Sequence, residues 1–79
     1  MQFFVRVMET HKESPRTFYP EVACAGLSQA KDEAKRQVME SRPDRMLQAD
    51  ACMRNHGHVL TKYRCRRDER GDLHEYILA

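Results

Sequence analysis

Cysteine and histidine side chains cluster in the stretch CMRNHGHVLTKYRCRR, residues 52–67, and zinc prefers these side chains as ligands. A zinc site there would use a C-x3-H-x-H-x6-C spacing formed by Cys52, His56, His58 and Cys65. That spacing matches no standard zinc finger. Strand alternation also directs Cys52 and Cys65 to opposite sides of the chain, so one ligand would point away from the others. The sequence therefore predicts no metal and no other cofactor.

The same stretch could also bring a thiol beside an imidazole, which is the beginning of a nucleophilic site. Cys52 and His56 could form such a pair, but catalysis also needs an orienting group and an oxyanion pocket. A sheet of 79 residues with one helix offers little concavity for them. We therefore predict that the protein is not an enzyme and has no catalytic residue.

Basic residues give the most prominent functional signal. Residues 51–67 contain no acid and carry Arg54, Lys62, Arg64, Arg66 and Arg67. Alternation places Lys62, Arg64 and Arg66 on one face of one strand, and Tyr76 on the neighbouring strand could add a stacking surface. We therefore predict a partner-binding face formed by Arg54, Lys62, Arg64, Arg66 and Tyr76. Because neither Arg64 nor Arg66 faces the predicted core, reversing both to Glu is expected to abolish binding and leave the fold intact.

Two interpretations of this face stay open at the level of the sequence. Clustered cations are typical of phosphate contacts, which favours a small RNA- or DNA-binding module that uses the basic strand, residues 59–67. The net charge of only +2 and the lack of an RNP, GxxG or helix-turn-helix pattern weigh against it. The face could instead be an ordinary solvated surface.

Period-two patterns predict strands on both sides of one helix. FFVRVMET alternates as a first strand with Phe3, Val5 and Val7 on one side. HKESPR is a polar turn, and TFYPEVACA is a second strand with Phe18, Val22 and Cys24 on one side. Pro20 cannot donate a ladder hydrogen bond, so this second strand is expected at an edge of the sheet.

The stretch GLSQAKDEAKRQVMESRPD changes to a helical period. The predicted apolar stripe is Leu27, Ala30, Ala34 and Val38. Ser28 is the predicted N-cap, and Pro43 forbids continuation. The opposite, charged face, which includes Lys31 and Lys35, is expected to be solvated.

Alternation returns after the helix. MLQADACMR is expected to place Leu47, Ala49, Ala51 and Met53 on one side. NHGH is a turn in which Asn55 and Gly57 could take positive φ. VLTKYRCRR then alternates with Val59, Thr61, Tyr63 and Cys65 on its buried side, and LHEYILA closes the sheet. The prediction is an α+β fold of order ββαβββ, one helix on a mostly antiparallel sheet.

Composition predicts one small domain, residues 1–79, with a marginal core. Leu, Ile, Val and Phe make up only 14 of the 79 residues, and this small apolar fraction, with flat strands that contain Met and Tyr, favours self-association as a homodimer. No run is apolar enough for a membrane span or an export signal, and three cysteines without a CxxC fit reduced thiols. We therefore expect a soluble protein of the cytoplasm that does not bind membranes.

A short strand pair, one Ala-rich helix and a strand meander, on a chain this small with no enzyme motif, resemble the phage-encoded anti-CRISPR inhibitors. The resemblance covers the chain as an element order. It implies a non-enzymatic inhibitor that binds a host CRISPR–Cas effector complex in the host cytoplasm and blocks nucleic-acid recognition or component recruitment. Many such inhibitors are acidic mimics of nucleic acid. The basic balance of this chain favours docking on an acidic protein patch, or on the nucleic acid itself.

Overall fold

A computed structural model describes residues 1–9, 16–42 and 44–78. One helix packs on an antiparallel sheet whose strands lie in the order β2-β1-β4-β5-β6, with β3 also paired to β1. The elements are β1 (Gln2–Glu9), β2 (Thr17–Phe18), β3 (Val22–Cys24), α1 (Leu27–Glu40), β4 (Leu47–Asn55), β5 (His58–Arg67) and β6 (Leu73–Ile77). β2 and β3 are two segments of the predicted edge strand, so the predicted α+β fold of order ββαβββ is confirmed.

The core lies between α1 and one face of the sheet, which we call the helix face. The helix contributes Ala30, Ala34 and Val38, each fully buried, as its apolar period predicts. The strands contribute Val5, Val7, Leu47, Ala49, Ala51, Tyr63 and Cys65. Alanines on both sides of this contact let the helix backbone approach the sheet closely. The opposite face of the sheet, which we call the open face, lies away from α1.

Backbone groups and side chains hold the two ends of α1. The helix begins after Gly26 without a side-chain cap, so the prediction that Ser28 is the N-cap is wrong, because Ser28 already lies in the first turn. At the other end the Ser41 hydroxyl donates to the Val38 carbonyl, and Arg67 donates to the Ser41 carbonyl at 2.6 Å. Pro43, which we expected to stop the helix, lies outside the described residues.

Within the described ranges, no helix has the length and apolarity that a membrane crossing requires.

A register shift on the edge strand changes the face of Phe18. Phe18 pairs with Met8, whereas Val22 pairs with Val5, so the segment between them carries one extra residue relative to β1. Directly paired residues of antiparallel strands share a face. Phe18 therefore lies on the open face and is 64% exposed, and the prediction that it shares a side with Val22 and Cys24 is wrong.

A β-bulge between β4 and β5 changes the predicted faces of a second strand. Tyr63 pairs with Ala51 but Thr61 pairs with Cys52, which leaves Lys62 as the extra residue of β5. Tyr63 and Cys65 are buried on the helix face as predicted. Thr61 and Val59, predicted on that same side, lie instead on the open face, because the bulge reverses the alternation that follows it.

The β4–β5 hairpin turn has two residues in the left-handed region. His56 has φ +50° and Gly57 has φ +79°, which fits a tight two-residue turn of the primed type. The prediction of positive φ is confirmed for Gly57. It is wrong for Asn55, which ends β4 and pairs with His58.

The close contact between α1 and β4 predicts a steep penalty for a larger side chain there. Ala34→Leu is expected to destabilise the fold by about 1–3 kcal/mol, because the contact has no room for three more carbon atoms. Chemical denaturation followed by circular dichroism measures the loss. Ala23→Leu, the same change at an exposed strand residue, is the matched control and should stay within about 0.5 kcal/mol of the parent. Equal midpoints for the two variants would contradict the close packing.

Candidate functional site

A buried carboxylate organises the centre of the open face. Asp50 on β4 is only 3% exposed, and its oxygens accept hydrogen bonds from Arg64 on β5 and Arg6 on β1. The Arg64 Nε to Oδ1 distance is 2.9 Å and the Arg6 Nη2 to Oδ2 distance is 3.2 Å. The same register brings these side chains together, because Asp50 pairs with Arg6 on one side and with Arg64 on the other. One acid thus joins the three central strands.

The network continues along the open face through the bulge in β5. Arg6 also donates to the Thr61 hydroxyl at 3.2 Å, and Thr61 lies 3.7 Å from the Cys52 sulfur. Thr61 reaches this position only because the extra residue, Lys62, reverses its side of the strand. The predicted row of three cations on one face is therefore interrupted. Arg64 and Arg66 share the open face, whereas Lys62 is the bulge residue and has no paired residue on β4.

Arg54 forms a second charged contact at the end of β4. Its guanidinium donates to both carboxylate oxygens of Glu21, at 3.1 and 3.3 Å, and lies 4.5 Å from the centre of the Phe4 ring. This stacking leaves Phe4 only 4% exposed although it faces away from the helix. Arg54 therefore has a structural role as the cover of an aromatic ring, beside any contact with a partner.

Arg66 and Tyr76 form the most accessible contact among the predicted binding residues. Arg66 stands opposite His74, and Tyr76 stands opposite Arg64, so both side chains lie on the open face. The Arg66 guanidinium is 5.8 Å from the Tyr76 ring centre and its Nη2 is 3.3 Å from the Tyr76 hydroxyl. Among the described residues, no acidic side chain pairs with Arg66 or Lys62. This cation and this ring are both exposed to solvent.

A shallow hollow of about 160 Å³ lies on the same face beside the Asp50 network. Arg16, Met8 and Phe18 line its outer side, and the network lines its floor. The hollow combines guanidinium groups with an exposed aromatic ring and a thioether. Such a surface can bind an acidic side chain together with an apolar neighbour.

The four candidate zinc ligands are separated by the fold. Cys52 is buried on the open face and Cys65 is buried on the helix face, as alternation predicts. His56 and His58 lie exposed at the hairpin turn. Across the ranges that the structure describes, no group of three or more His, Cys, Asp or Glu side chains could hold a metal ion.

Burial suppresses the ionisation of the thiols. Burial raises the pKa of Cys65 to about 11, and burial likewise raises the pKa of Cys52 above its ordinary value. Cys24 is half-buried, and desolvation raises its pKa as well. A thiol that stays protonated is a poor nucleophile. Cys52 is therefore poorly suited to be the nucleophile of the Cys52–His56 pair considered above.

Asp50, Arg6 and Arg16 are the open-face residues that sequence reasoning missed. Asp50 marked only the limit of the acid-free stretch, and Arg6 belonged to a strand without an assigned function. A signal for Asp50 was present, because an acid in the middle of LQADACM must find cations if the strand is central. Its partners could be named only after the strand order was known.

Comparison with protein-family models, with curated proteins and with solved structures finds no match to this chain. The fold defines a small α+β protein with one covered and one open sheet face.

Replacing the buried acid should weaken the fold more than replacing an exposed one. Asp50→Asn is expected to lower the free energy of unfolding by about 2–4 kcal/mol, since it leaves two guanidinium groups without their counter-charge. Asp44→Asn removes an exposed pair with Arg42 and should change it by less than about 1 kcal/mol. Urea denaturation of both variants measures the difference. If Asp50→Asn left the free energy of unfolding unchanged, Asp50 would not be holding the central strands together.

Thiol alkylation should distinguish the three cysteines. At pH 8 iodoacetamide is expected to modify Cys24 first, because Cys52 and Cys65 are buried and remain protonated. Mass spectrometry of peptides over time gives the three rates. In guanidinium chloride all three should react alike. Rapid modification of Cys52 in the native protein would indicate that the Asp50 network opens locally.

Proposed function

We propose that this protein is a non-enzymatic binding protein whose open face docks on an acidic surface of a protein partner. The observation that carries the proposal is the collection of Arg6, Arg16, Arg64 and Arg66 on one sheet face beside the exposed Phe18 and Tyr76 rings. The Asp50 network holds two of these guanidinium groups in place before a partner arrives. Preorganised donors lose less side-chain entropy on binding than free ones.

The composition of the open face favours a protein partner over a nucleic acid. Arginine, tyrosine, phenylalanine and methionine are enriched at the centres of protein interfaces. Two acids, Asp50 and Glu21, lie among the cations and pair with three of them, which lowers the positive charge that is free to contact a phosphate backbone. A protein surface can instead match this mixture of charge and apolar area by complementary placement.

The specific form of the proposal follows the resemblance in element order to anti-CRISPR inhibitors. The partner is then a host CRISPR–Cas effector complex, and inhibition comes from covering a surface needed to recognise nucleic acid or to recruit a component. No chemical step is required of the inhibitor. The burial of Cys52 and Cys65 as free thiols fits action in the reducing cytoplasm.

The alternative function is direct binding of RNA or DNA through the basic strand β5. The observation that favours it is the exposed contact between Arg66 and Tyr76, because a base can stack on such a ring while the guanidinium contacts phosphate. Binding of this kind weakens steeply as salt is added.

Charge reversal at Arg66 tests the proposed face. Arg66→Glu is expected to abolish inhibition in a plaque assay on CRISPR-immune host cells that express the protein, because it places an acid on the docking surface. The fold should persist, since the Arg66 side chain is exposed and lies against the exposed Tyr76 ring. Reversing Arg64, which we predicted to be harmless, is unsuitable because it would set a second acid beside buried Asp50. A charge reversal at Lys35 on the helix is unsuitable as a control, since Lys35 pairs with Glu75.

Arg70→Glu is the matched control, because Arg70 is an exposed arginine in the β5–β6 turn. It should inhibit like the parent. Full inhibition by Arg66→Glu would show that the open face is not the working surface. No inhibition by the parent protein in CRISPR-immune hosts would contradict the proposal that it is an inhibitor.

A gel shift with short duplex and single-stranded nucleic acid at low and moderate salt tests the alternative function, direct binding of RNA or DNA. The homodimer expected from the sequence remains a prediction.

A further inference from the structure

Strand β6 is the last strand in the sheet order, and none of the other described strands pairs with its outer side. Leu78 N–H donates to the Lys62 carbonyl and the Asp72 carbonyl accepts from Asp68 N–H, both at 3.0 Å. Since the backbone groups of successive residues point to alternate sides, the even-numbered residues of β6 face β5. The backbone groups of Leu73, Glu75 and Ile77 therefore point outward, away from the sheet.

The two edges of the sheet differ in how they are protected. The β2–β3 edge consists of segments of two and three residues, interrupted by a register shift at Tyr19–Glu21 that includes Pro20. Proline, short strands and bulges are the usual devices that prevent pairing with another chain. β6 has none of these three devices, and its one charged residue, Glu75, is paired with Lys35.

Apolar side chains are exposed next to the unprotected edge. Ile77 is 72% exposed and Leu60 is 50% exposed. Both lie on the helix face, as shown by the pairing of Ile77 with Tyr63 and of Leu60 with Met53. The helix lies over β1, β3, β4 and β5, so these two side chains sit beyond its contacts.

We infer that the outer edge of β6 is a homodimer interface, formed by antiparallel pairing with β6 of a second copy. A twofold axis through Glu75 sets Leu73 opposite Ile77 of the second copy, and every outward N–H and C=O then finds a partner. This register provides about six backbone hydrogen bonds. Leu73 and Ile77 become neighbours on the helix face. A second copy matches this edge because the outward groups are arranged symmetrically about Glu75.

Charge complementarity supports the same occupant. Glu75 is hydrogen bonded to the Tyr63 hydroxyl at 2.6 Å, and Lys35 Nζ lies 2.9 Å from its Oε1. In the pairing centred on Glu75 the two carboxylates come close, and the Lys35 side chain of each copy lies on the same face beside them. Two carboxylates directly opposite each other repel, and the two Lys35 ammonium groups beside them bring the net charge of the cluster to zero. The interface is independent of the docking face proposed above.

A proline at an outward-pointing residue tests the interface without breaking the β5–β6 ladder. Ile77→Pro removes an outward N–H and places a ring on the edge, while the inward groups of Tyr76 remain. Ile77→Val is the matched control, because it keeps the N–H and a branched side chain. The measurement is sedimentation velocity of the full chain at concentrations from a few to about 200 micromolar, a range that covers small transient interfaces.

The expected result is a dimer for the parent and for Ile77→Val, with dissociation weakened at least tenfold in Ile77→Pro. Circular dichroism should show that all three proteins are folded. A parent that stays monomeric across the range would overturn the inference. A dimer that survives Ile77→Pro would also overturn it, because association would then use another surface. Partner binding does not enter either measurement, so the result separates this interface from the proposed function.

Discussion

One helix of 14 residues can cover only one face of a six-stranded sheet, and this constraint determines the rest of the molecule. On the covered face, alanines from α1 meet Ala49 and Ala51 of β4, so the layers lie close and a small core is filled by small side chains. On the other face the central strands have no second apolar layer to pack against. A polar network joins them instead, and it makes the uncovered face specific in shape and charge.

The Asp50 network performs two tasks at once. It joins β1, β4 and β5 through one carboxylate, and it fixes the Arg6 and Arg64 guanidinium groups at the surface. Ion pairs that are removed from water contribute little net stability, because desolvation offsets their attraction. Their value here lies in geometry, since the donors that remain free on each guanidinium point in defined directions. A solvated row of lysines would have no such order.

The alternating and helical periods of the sequence were sufficient to predict the fold, the helix stripe and the opposite faces of Cys52 and Cys65. They were insufficient wherever a strand contains one extra residue. Phe18, Val59 and Thr61 were assigned to wrong faces because alternation looks the same on both sides of a bulge. Only the partner strand reveals the shift. The Asp50 network was missed for the same reason, because its arginines come from two other strands.

Pairing at the β6 edge would also determine how the open faces of the two copies are arranged. Directly paired residues share a face, so a twofold pairing of β6 strands would place both open faces on one side of a continuous sheet. The Arg66–Tyr76 contacts of the two copies would then lie near the dimer axis, because Tyr76 belongs to β6 and Arg66 to the adjacent strand. Two linked docking surfaces bind a partner with two acidic patches more tightly than one, since the second contact is intramolecular. A chain with a small core would thus gain both stability and affinity from the same edge.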